Sequence, residues 1–257
     1  MTALADILAA ATPIHGGFRA TIPADWLQGR TAYGGLSSAL ALHAAQHSDT
    51  DLPPLRSALV AFVGPLAGEV TVTAERLRRG RNAAFVEATI RSDAGLGYRA
   101  IFVFMNDIPS SIAHDETAPS PRRPPAPEAE VFTGRSGFFT SNFNFVDLKA
   151  EVQGAEWLRW GRLIERGGLD PEVALIAVAD ALPPAAFALI RDNAVAMSSL
   201  TWIVNILVPR PTTTDGWWLL HTRTERAVGG YSSQRMTVWN ADGVPVIDAM
   251  QGVAVFG

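Results

Sequence analysis

The sequence predicts an α+β fold in which one unit, an antiparallel sheet wrapped round a central helix, is used twice. Residues 30–106 begin with a glycine pair at the head of an apolar helix and continue through about four strand-like segments without a second helix. Residues 171–256 repeat that order. Because several landmarks recur in the same order in both halves, two copies of one unit are a better explanation than chance.

The landmarks lie at the ends of the strands. In each half a strand is stopped by a proline, because proline cannot donate to the ladder. A hairpin turn and an apolar last strand follow. The corresponding landmarks in the two halves are the prolines Pro65 and Pro209, the hairpin turns 93–95 and 242–243, and the last strands 100–104 and 252–256.

The first half contains one long helix and a run of strands. A short helix over residues 2–10 and a strand over 18–22 come first. From Gly34 to His47 the sequence is small and apolar nearly all round, which is typical of a helix buried on most faces. Residues 70–75 alternate between apolar and polar side chains, which indicates a sheet with one buried face. The predicted strands are 56–63, 69–77, 83–91 and 97–106.

A proline-rich segment joins the halves. Residues 107–130 hold six prolines and little hydrophobic content, so we expect an extended linker. It separates a first unit, residues 1–106, from a second, residues 131–257. The second unit is predicted to contain aromatic strands around 138–145 and 157–160, a helix over 171–181 that starts at Pro171, and strands over 196–208, 217–226, 231–239 and 245–256.

Composition excludes several classes of protein. The net charge is −4 and no run of Lys or Arg exceeds a pair, so nucleic acid is not an expected partner. The chain has no cysteine, which excludes disulfides and a cysteine nucleophile and makes the cytoplasm the expected compartment. Residues 1–11 lack a basic region and carry Asp6, so they indicate a helix and not a signal peptide. No apolar run reaches the roughly 18 residues of a membrane span.

A sheet wrapped round one buried helix, used twice with the two sheets meeting edge to edge, is the double hotdog arrangement. Several short motifs also occur in a fixed order along the chain: Tyr33-Gly34-Gly35, Arg56 with Phe62-Val63-Gly64-Pro65, Arg79-Gly80-Arg81-Asn82, Ser198-Ser199-Leu200, and Gln251. Through these motifs the chain resembles the acyl-CoA thioesterase II-like family of double hotdog proteins over nearly its whole length. The fold alone would not give the function, because hotdog proteins also include dehydratases, hydratases and non-catalytic acyl binders.

The resemblance implies hydrolysis of a fatty acyl-CoA thioester by a positioned water. CoA is then part of the substrate and no cofactor is expected. The developing oxyanion needs N–H donors, which the N-terminus of a helix supplies together with the positive end of its dipole. Gly34, Gly35 and Leu36, preceded by Tyr33, stand at that position and are the predicted substrate-binding residues. The alternative is that the glycine pair only packs the helix against the sheet.

The resemblance places the water-holding side chains in the second half, as an acid, a Thr or Ser, and a Gln. Gln251 stands in the strand that carries the Gln, and a buried amide can both donate to and accept from water. Thr224 is the expected hydroxyl. At the position expected for the acid, after Ser199-Leu200, the sequence has Thr201.

Thr201 leaves three explanations open, because a hydroxyl cannot replace a carboxylate that contributes about 10²–10⁴-fold as a general base. In the first, the chain hydrolyses slowly while Thr201 and Gln251 only orient water. In the second, it uses another carboxylate, such as Asp180 or Asp248. In the third, it is a non-catalytic acyl or acyl-CoA binding protein built on the same fold.

Other residues add little to this prediction. His43 and His47 have a helical i, i+4 spacing but lack the Glu that a zinc protease helix places between them, so no metal is expected. The expected partner is an acyl-CoA used in fatty acid metabolism. An unpaired sheet edge would also allow a homo-oligomer to form.

Overall fold

The computed structural model describes residues 1–190 and 195–256. In this part of the chain the helices are α1 (Leu4–Ala9), α2 (Gly34–Gln46) and α3 (Pro171–Ala179). None of these helices is long and apolar enough to cross a membrane. The strands of the first half are β1 (Thr12–Ile14), β2 (Gly17–Ile22), β3 (Leu27–Gln28), β4 (Thr31–Ala32), β5 (Leu55–Phe62), β6 (Gly68–Arg79), β7 (Ala83–Ser92) and β8 (Gly95–Met105). Those of the second half are β9 (Phe132–Thr133), β10 (Phe143–Asp147), β11 (Glu156–Leu163), β12 (Ala196–Ile206), β13 (Trp218–Val228), β14 (Tyr231–Asn240) and β15 (Pro245–Phe256).

One antiparallel sheet holds thirteen of these strands, in the order β1-β2-β6-β7-β8-β5-β12-β15-β14-β13-β11-β10-β9. The strands of the first half therefore lie on one side and those of the second half on the other. The halves meet where β5 pairs with β12, from Ala61 opposite Thr201 to Ser57 opposite Asn205. This edge-to-edge junction confirms the predicted double hotdog architecture.

The two long helices pack side by side and run antiparallel. At one end, the Tyr33 hydroxyl before α2 donates to the Ala177 carbonyl in the last turn of α3, at 2.9 Å. At the other end, Gln46 Nε2 donates to the carboxylates of Asp170 and Glu172 at the start of α3, at 3.1 Å each. The start of α2 therefore faces the end of α3.

The sequence explains why both helices form inside the protein. Leu36 and Leu40 of α2 are both 0 % exposed, as expected for a helix that is apolar on nearly every face. At the start of α3, the Asp170 carboxylate accepts hydrogen bonds from the N–H groups of Glu172 and Val173, and Pro171 occupies the first turn. The predicted helices and the eight long predicted strands are confirmed to within a few residues.

The aromatic segment before β10 differs from its prediction as a strand. Phe139–Asn142 forms a 3₁₀ turn, and the strand begins only at Phe143. The ring of Phe139 stacks on that of Tyr33, with centroids 4.1 Å apart, and Asn142 Nδ2 donates to the Asp25 carbonyl at 2.6 Å. These contacts hold the segment against Tyr33, at the start of α2, and against Asp25, and the segment lies outside the strand.

The proline-rich linker contains no helix or strand between residues 107 and 131. It nevertheless contacts the second half, because Trp239 Nε1 donates to the Ala118 carbonyl at 2.8 Å and the Ser120 N–H donates to the Gly243 carbonyl at 2.9 Å. Trp239 belongs to a small apolar cluster that also contains Leu158, Trp160, Trp217 and Leu219. The linker is therefore held to the sheet, while the unit boundaries at 106 and 131 stay predictions.

Candidate functional site

A cavity of about 730 Å³ lies where the start of α2 faces the end of α3. This volume is within the range of about 300–1,000 Å³ that is typical of small-molecule sites. Gly34, Ser37, Asp180 and Gln251 all line it. Its apolar wall includes Phe62, Leu66 and Tyr98 from the first half and Phe138, Phe139, Leu182 and Phe187 from the second.

Asp180 is the only acid in the wall of this cavity among the described residues. Asp180 follows α3 directly, so the end of this helix determines the position of Asp180. Gln251 Nε2 donates to Asp180 Oδ1 at 2.9 Å. Burial raises the pKa of Asp180 to about 7, against the lowering effect of the Gln251 amide and of the nearby Gly35 backbone N–H. Of the two carboxylates considered as alternatives from the sequence, Asp180 and Asp248, it is Asp180 that contacts Gln251.

The first turn of α2 lies so close to this carboxylate that glycine is required there. A Cβ atom on Gly34 would lie 2.6 Å from Asp180 Oδ2 and 2.9 Å from the Phe62 ring. A Cβ atom on Gly35 would lie 2.5 Å from the Tyr33 ring. The glycine pair therefore brings the N-terminus of α2, with its positive dipole end, against the carboxylate.

The side chains of two predicted substrate-binding residues lie in the core instead. Tyr33 is 1 % exposed, and its hydroxyl donates to the Ala177 carbonyl. Leu36 is fully buried, so for this residue only the backbone N–H remains a candidate donor. The structure does not place the Tyr33 side chain in the cavity wall, because the ring packs between the helices. Tyr33 instead ties the start of α2 to the turn of α3 that precedes Asp180.

Gln251 lies in a row of polar side chains on the inner face of the sheet. It is opposite Gln234 of β14, which is in turn opposite Thr224 of β13. Gln251 is 2 % exposed, and Gln234 Nε2 donates to its Oε1 at 2.6 Å. The Thr224 hydroxyl is 3.3 Å from that of Ser232. The structure brings Thr224 to the same face as Gln251, but its hydroxyl is paired with Ser232.

Thr201 lies on the other face of the sheet. Its neighbour Trp202 is 1 % exposed and stands opposite Gln251, so the alternation of β12 turns Thr201 to the exposed outer face. Asp248 is exposed on that face too, three residues before Gln251 in β15. The structure therefore places the Thr201 side chain away from Gln251, and the carboxylate that contacts Gln251 is that of Asp180.

Sequence reasoning missed Gln234. The available signal was the alternation of β14, in which Ser232, Gln234 and Met236 fall on one buried face. A glutamine at such a position needs partners inside the protein. Among the described residues, no group of three or more His, Asp or Glu side chains could hold a metal ion.

Solved structures with the same fold cover the whole chain. A hot dog fold protein of unknown function from Alicyclobacillus acidocaldarius is 22 % identical, with a TM-score of 0.84, over 100 % of this chain and 99 % of that one. For a putative thioesterase II from Thermobifida fusca the identity is 18 % and the TM-score 0.82, over 100 % and 98 % of the two chains. For the tesB protein of Mycobacterium avium subs paratuberculosis the values are 19 % and 0.79, over 100 % of both chains.

Sequence comparison gives the family. A search of curated proteins found no match. The profile of the acyl-CoA thioesterase N-terminal domain matches residues 22–105, and that of the acyl-CoA thioesterase C-terminal domain matches residues 114–255. Together the two matches span both halves of the double hotdog. The chain therefore belongs to the acyl-CoA thioesterase family.

Proposed function

We propose that this protein hydrolyses an acyl-CoA thioester to a free acid and CoA, with Asp180 as the general base. The observation that carries the proposal is the Asp180 carboxylate in the cavity, which meets both the Gln251 amide and the N-terminus of α2. Membership of the acyl-CoA thioesterase family supports thioester hydrolysis in general. The roles proposed for Asp180 and Gln251 rest on the contacts in the cavity.

The pKa of Asp180, about 7, suits a base that works near neutral pH. Gln251 Nε2 carries two hydrogens, and the one that is not donated to Asp180 can hold a water molecule. Asp180 takes a proton from this water as its oxygen attacks the thioester carbonyl carbon. When the tetrahedral intermediate collapses, the C–S bond breaks and the CoA sulfur leaves with the proton that Asp180 has held.

The oxyanion of the intermediate is best placed at the start of α2. The first hydrogen bond within this helix runs from the Ser37 N–H to the Tyr33 carbonyl, so the N–H groups before Ser37 have no partner in the helix. The Gly35 N–H acts on the Asp180 carboxylate and lowers its pKa. The N–H groups of Gly34 and Leu36, together with the helix dipole, are therefore the proposed oxyanion donors.

The alternative of a non-catalytic acyl-binding protein depended on Thr201 replacing the acid. Asp180 beside Gln251 supplies a carboxylate to the site, which supports hydrolysis over this alternative. The proposed reaction uses neither Thr201 nor Thr224. A role in fatty acid metabolism and a cytoplasmic location are part of the same proposal.

Release of thiol from a panel of short-, medium- and long-chain acyl-CoAs would test the function. We expect Asp180→Asn to lower the rate by about 10²–10⁴-fold, as for loss of a general base. Gln251→Ala should also lower the rate, whereas the control Asp248→Asn, on the outer face of the same strand as Gln251, should not. If the wild-type protein releases no thiol from any acyl-CoA, or if Asp180→Asn keeps full activity, the proposal is wrong.

Single-turnover hydrolysis in ¹⁸O-water would test the role of Asp180 as a base. A base-activated water places the label in the released acid and leaves the protein unlabelled. A carboxylate that attacked the thioester itself would form an anhydride, and water opening this anhydride at the Asp180 carbonyl would place the label in the Asp180 side chain instead of in the released acid.

Self-association remains a prediction. The outermost strands of the large sheet, β1 and β9, have only three and two residues. Such short edges offer little backbone for pairing with another chain, so they argue against the association through sheet edges that the sequence suggested. Sedimentation velocity over a range of concentrations would show whether a homo-oligomer forms.

A further inference from the structure

Gln234 connects the backbone to the Gln251 amide. It lies in β14, is 1 % exposed, and uses both ends of its side chain. The Ala185 N–H donates to Gln234 Oε1 at 2.7 Å, and Gln234 Nε2 donates to Gln251 Oε1 at 2.6 Å. Gln251 Nε2 then donates to Asp180 Oδ1 at 2.9 Å. Three hydrogen bonds thus form a line from a backbone amide to the carboxylate.

The donors and acceptors in this line of hydrogen bonds can be assigned in only one way. The backbone N–H of Ala185 can donate but cannot accept, so the oxygen of Gln234 must face it. The Gln234 amino group must then face Gln251, whose oxygen accepts. The Gln251 amino group is consequently left to face Asp180. The backbone therefore sets the orientation of both amides, which the similar shapes of C=O and NH₂ would otherwise leave free.

We propose that Gln234 is a positioning residue that fixes the Gln251 amide so that an N–H, and not a carbonyl oxygen, meets Asp180. The inference rests on the proposed role of Asp180 as a base. A flipped Gln251 would turn its oxygen toward the carboxylate, which is repulsive unless Asp180 is protonated and donates. A protonated Asp180 cannot accept a proton from water, so the flipped amide would disable the base.

Gln234 is also placed to act on the titration of Asp180, because the hydrogen bond from Gln251 lowers the pKa of this carboxyl. In the described part of the chain, Tyr33 and Tyr98 are the other titratable side chains that interact with Asp180, and burial raises the pKa of each phenol. Both phenols therefore stay neutral near pH 7. Among the described residues, the remaining charged side chains in the cavity wall are Arg30 and Arg159.

The test compares Gln234→Leu with Met236→Leu. Both residues are buried on the same face of β14, but only Gln234 belongs to the line of hydrogen bonds. For Gln234→Leu we expect kcat to fall about tenfold with KM unchanged, which corresponds to the loss of one oriented hydrogen bond of about 1.4 kcal/mol. The midpoint of the pH–kcat profile should move to higher pH. Met236→Leu should change neither kcat nor the midpoint.

Gln234→Glu gives a second, independent variant. When it is ionised, its carboxylate can still accept from the Ala185 N–H but cannot donate to Gln251, so at high pH it favours the flipped amide directly. We expect a larger loss of kcat than for Gln234→Leu. A kcat within twofold of wild type in both variants, with an unchanged pH midpoint, would overturn the proposal.

A measurement without substrate separates this inference from the proposed function. The difference in unfolding free energy between a protein and its Asp180→Asn variant changes with pH as Asp180 titrates. We expect the midpoint of this change to be higher in the Gln234→Leu background than in the wild-type background. If the midpoint shifts but the wild type releases no thiol, the positioning role stands and the thioesterase proposal fails. If the wild type hydrolyses acyl-CoA and the midpoint does not shift, the positioning role alone fails.

Discussion

Replacing Asp180 by Asn should make the protein less active and more stable at the same time. The two residues have nearly the same shape, so the packing of the cavity should be kept. What changes is the charge. In the wild type, folding places a carboxylate in a site where burial raises its pKa to about 7. The amide carries no charge that burial could penalise.

The size of the stability gain follows from the pKa. An ordinary Asp in the unfolded chain titrates at about 3.9, and each factor of ten in ionisation is worth about 1.4 kcal/mol. A folded-state pKa of about 7 then corresponds to about 4 kcal/mol for a fully ionised and desolvated Asp180. Water that reaches the cavity reduces this figure, so we expect a gain of about 2–4 kcal/mol.

The direction of the pH dependence is fixed by linkage. Below about pH 4 the carboxyl group is protonated in both states, so Asp180 costs nothing and the two proteins should be equally stable. As the pH rises, the unfolded chain loses this proton first, and the stability of the wild type falls relative to the variant. The difference should reach its full size once the pH exceeds the folded-state value of about 7.

Urea unfolding of both proteins at about pH 4, 6 and 8.5 would measure this difference, and thiol release at pH 8.5 would measure the activity. We expect the stability gap to be near zero at the lowest pH and largest at the highest, while the variant stays nearly inactive. A gap that is the same at all three pH values would refute the reasoning, because it would show that the Asp180 carboxylate is not destabilised by burial.

Three further substitutions test the surroundings of this carboxylate. Gly34→Ala should lower kcat by about 10–100-fold, because the added Cβ would lie 2.6 Å from Asp180 Oδ2 and must displace the carboxylate. The control Gly167→Ala, which has open space around its Cβ, should leave kcat unchanged. Tyr33→Phe should lower the free energy of unfolding by about 1–3 kcal/mol in a denaturant titration, because it leaves the buried Ala177 carbonyl without its partner. Thr201→Ala should leave thiol release within about twofold of wild type, and a large loss would mean that the exposed face takes part in the reaction.

The fold could be predicted because each of its main features depends on a pattern of neighbouring residues in the sequence. Strand β6 alternates apolar and polar residues, and its buried positions, Val70 and Val72, are the apolar ones. Helix α2 is apolar on nearly every face, which left an enclosed position as its only stable location. The aromatic segment before β10 was predicted less well, because the contact of Phe139 with Tyr33 joins residues that are far apart in the chain.

The site could be predicted only in part, because it depends on contacts between distant segments. Asp180 and Gln251 are separated by 71 residues, and nothing in their spacing shows that they meet. Thr201 was assigned by its position after a short motif. In a strand, however, a shift of one residue moves a side chain to the opposite face, so Trp202 faces Gln251 while Thr201 faces outward.

The position of Asp180 is itself an argument for function. It directly follows α3, at the negative end of that helix dipole, where a carboxylate is disfavoured. It also lies in a cavity that desolvates it. The opposing contributions are the Gly35 N–H at the positive end of α2 and the Gln251 amide, which Gln234 orients. A residue chosen for stability alone would be Asn or an apolar side chain. The Asp180 carboxylate destabilises the folded protein, yet an oriented amide and a helix N-terminus hold it in place. A need for a base whose pKa is near neutral explains this arrangement better than stability does.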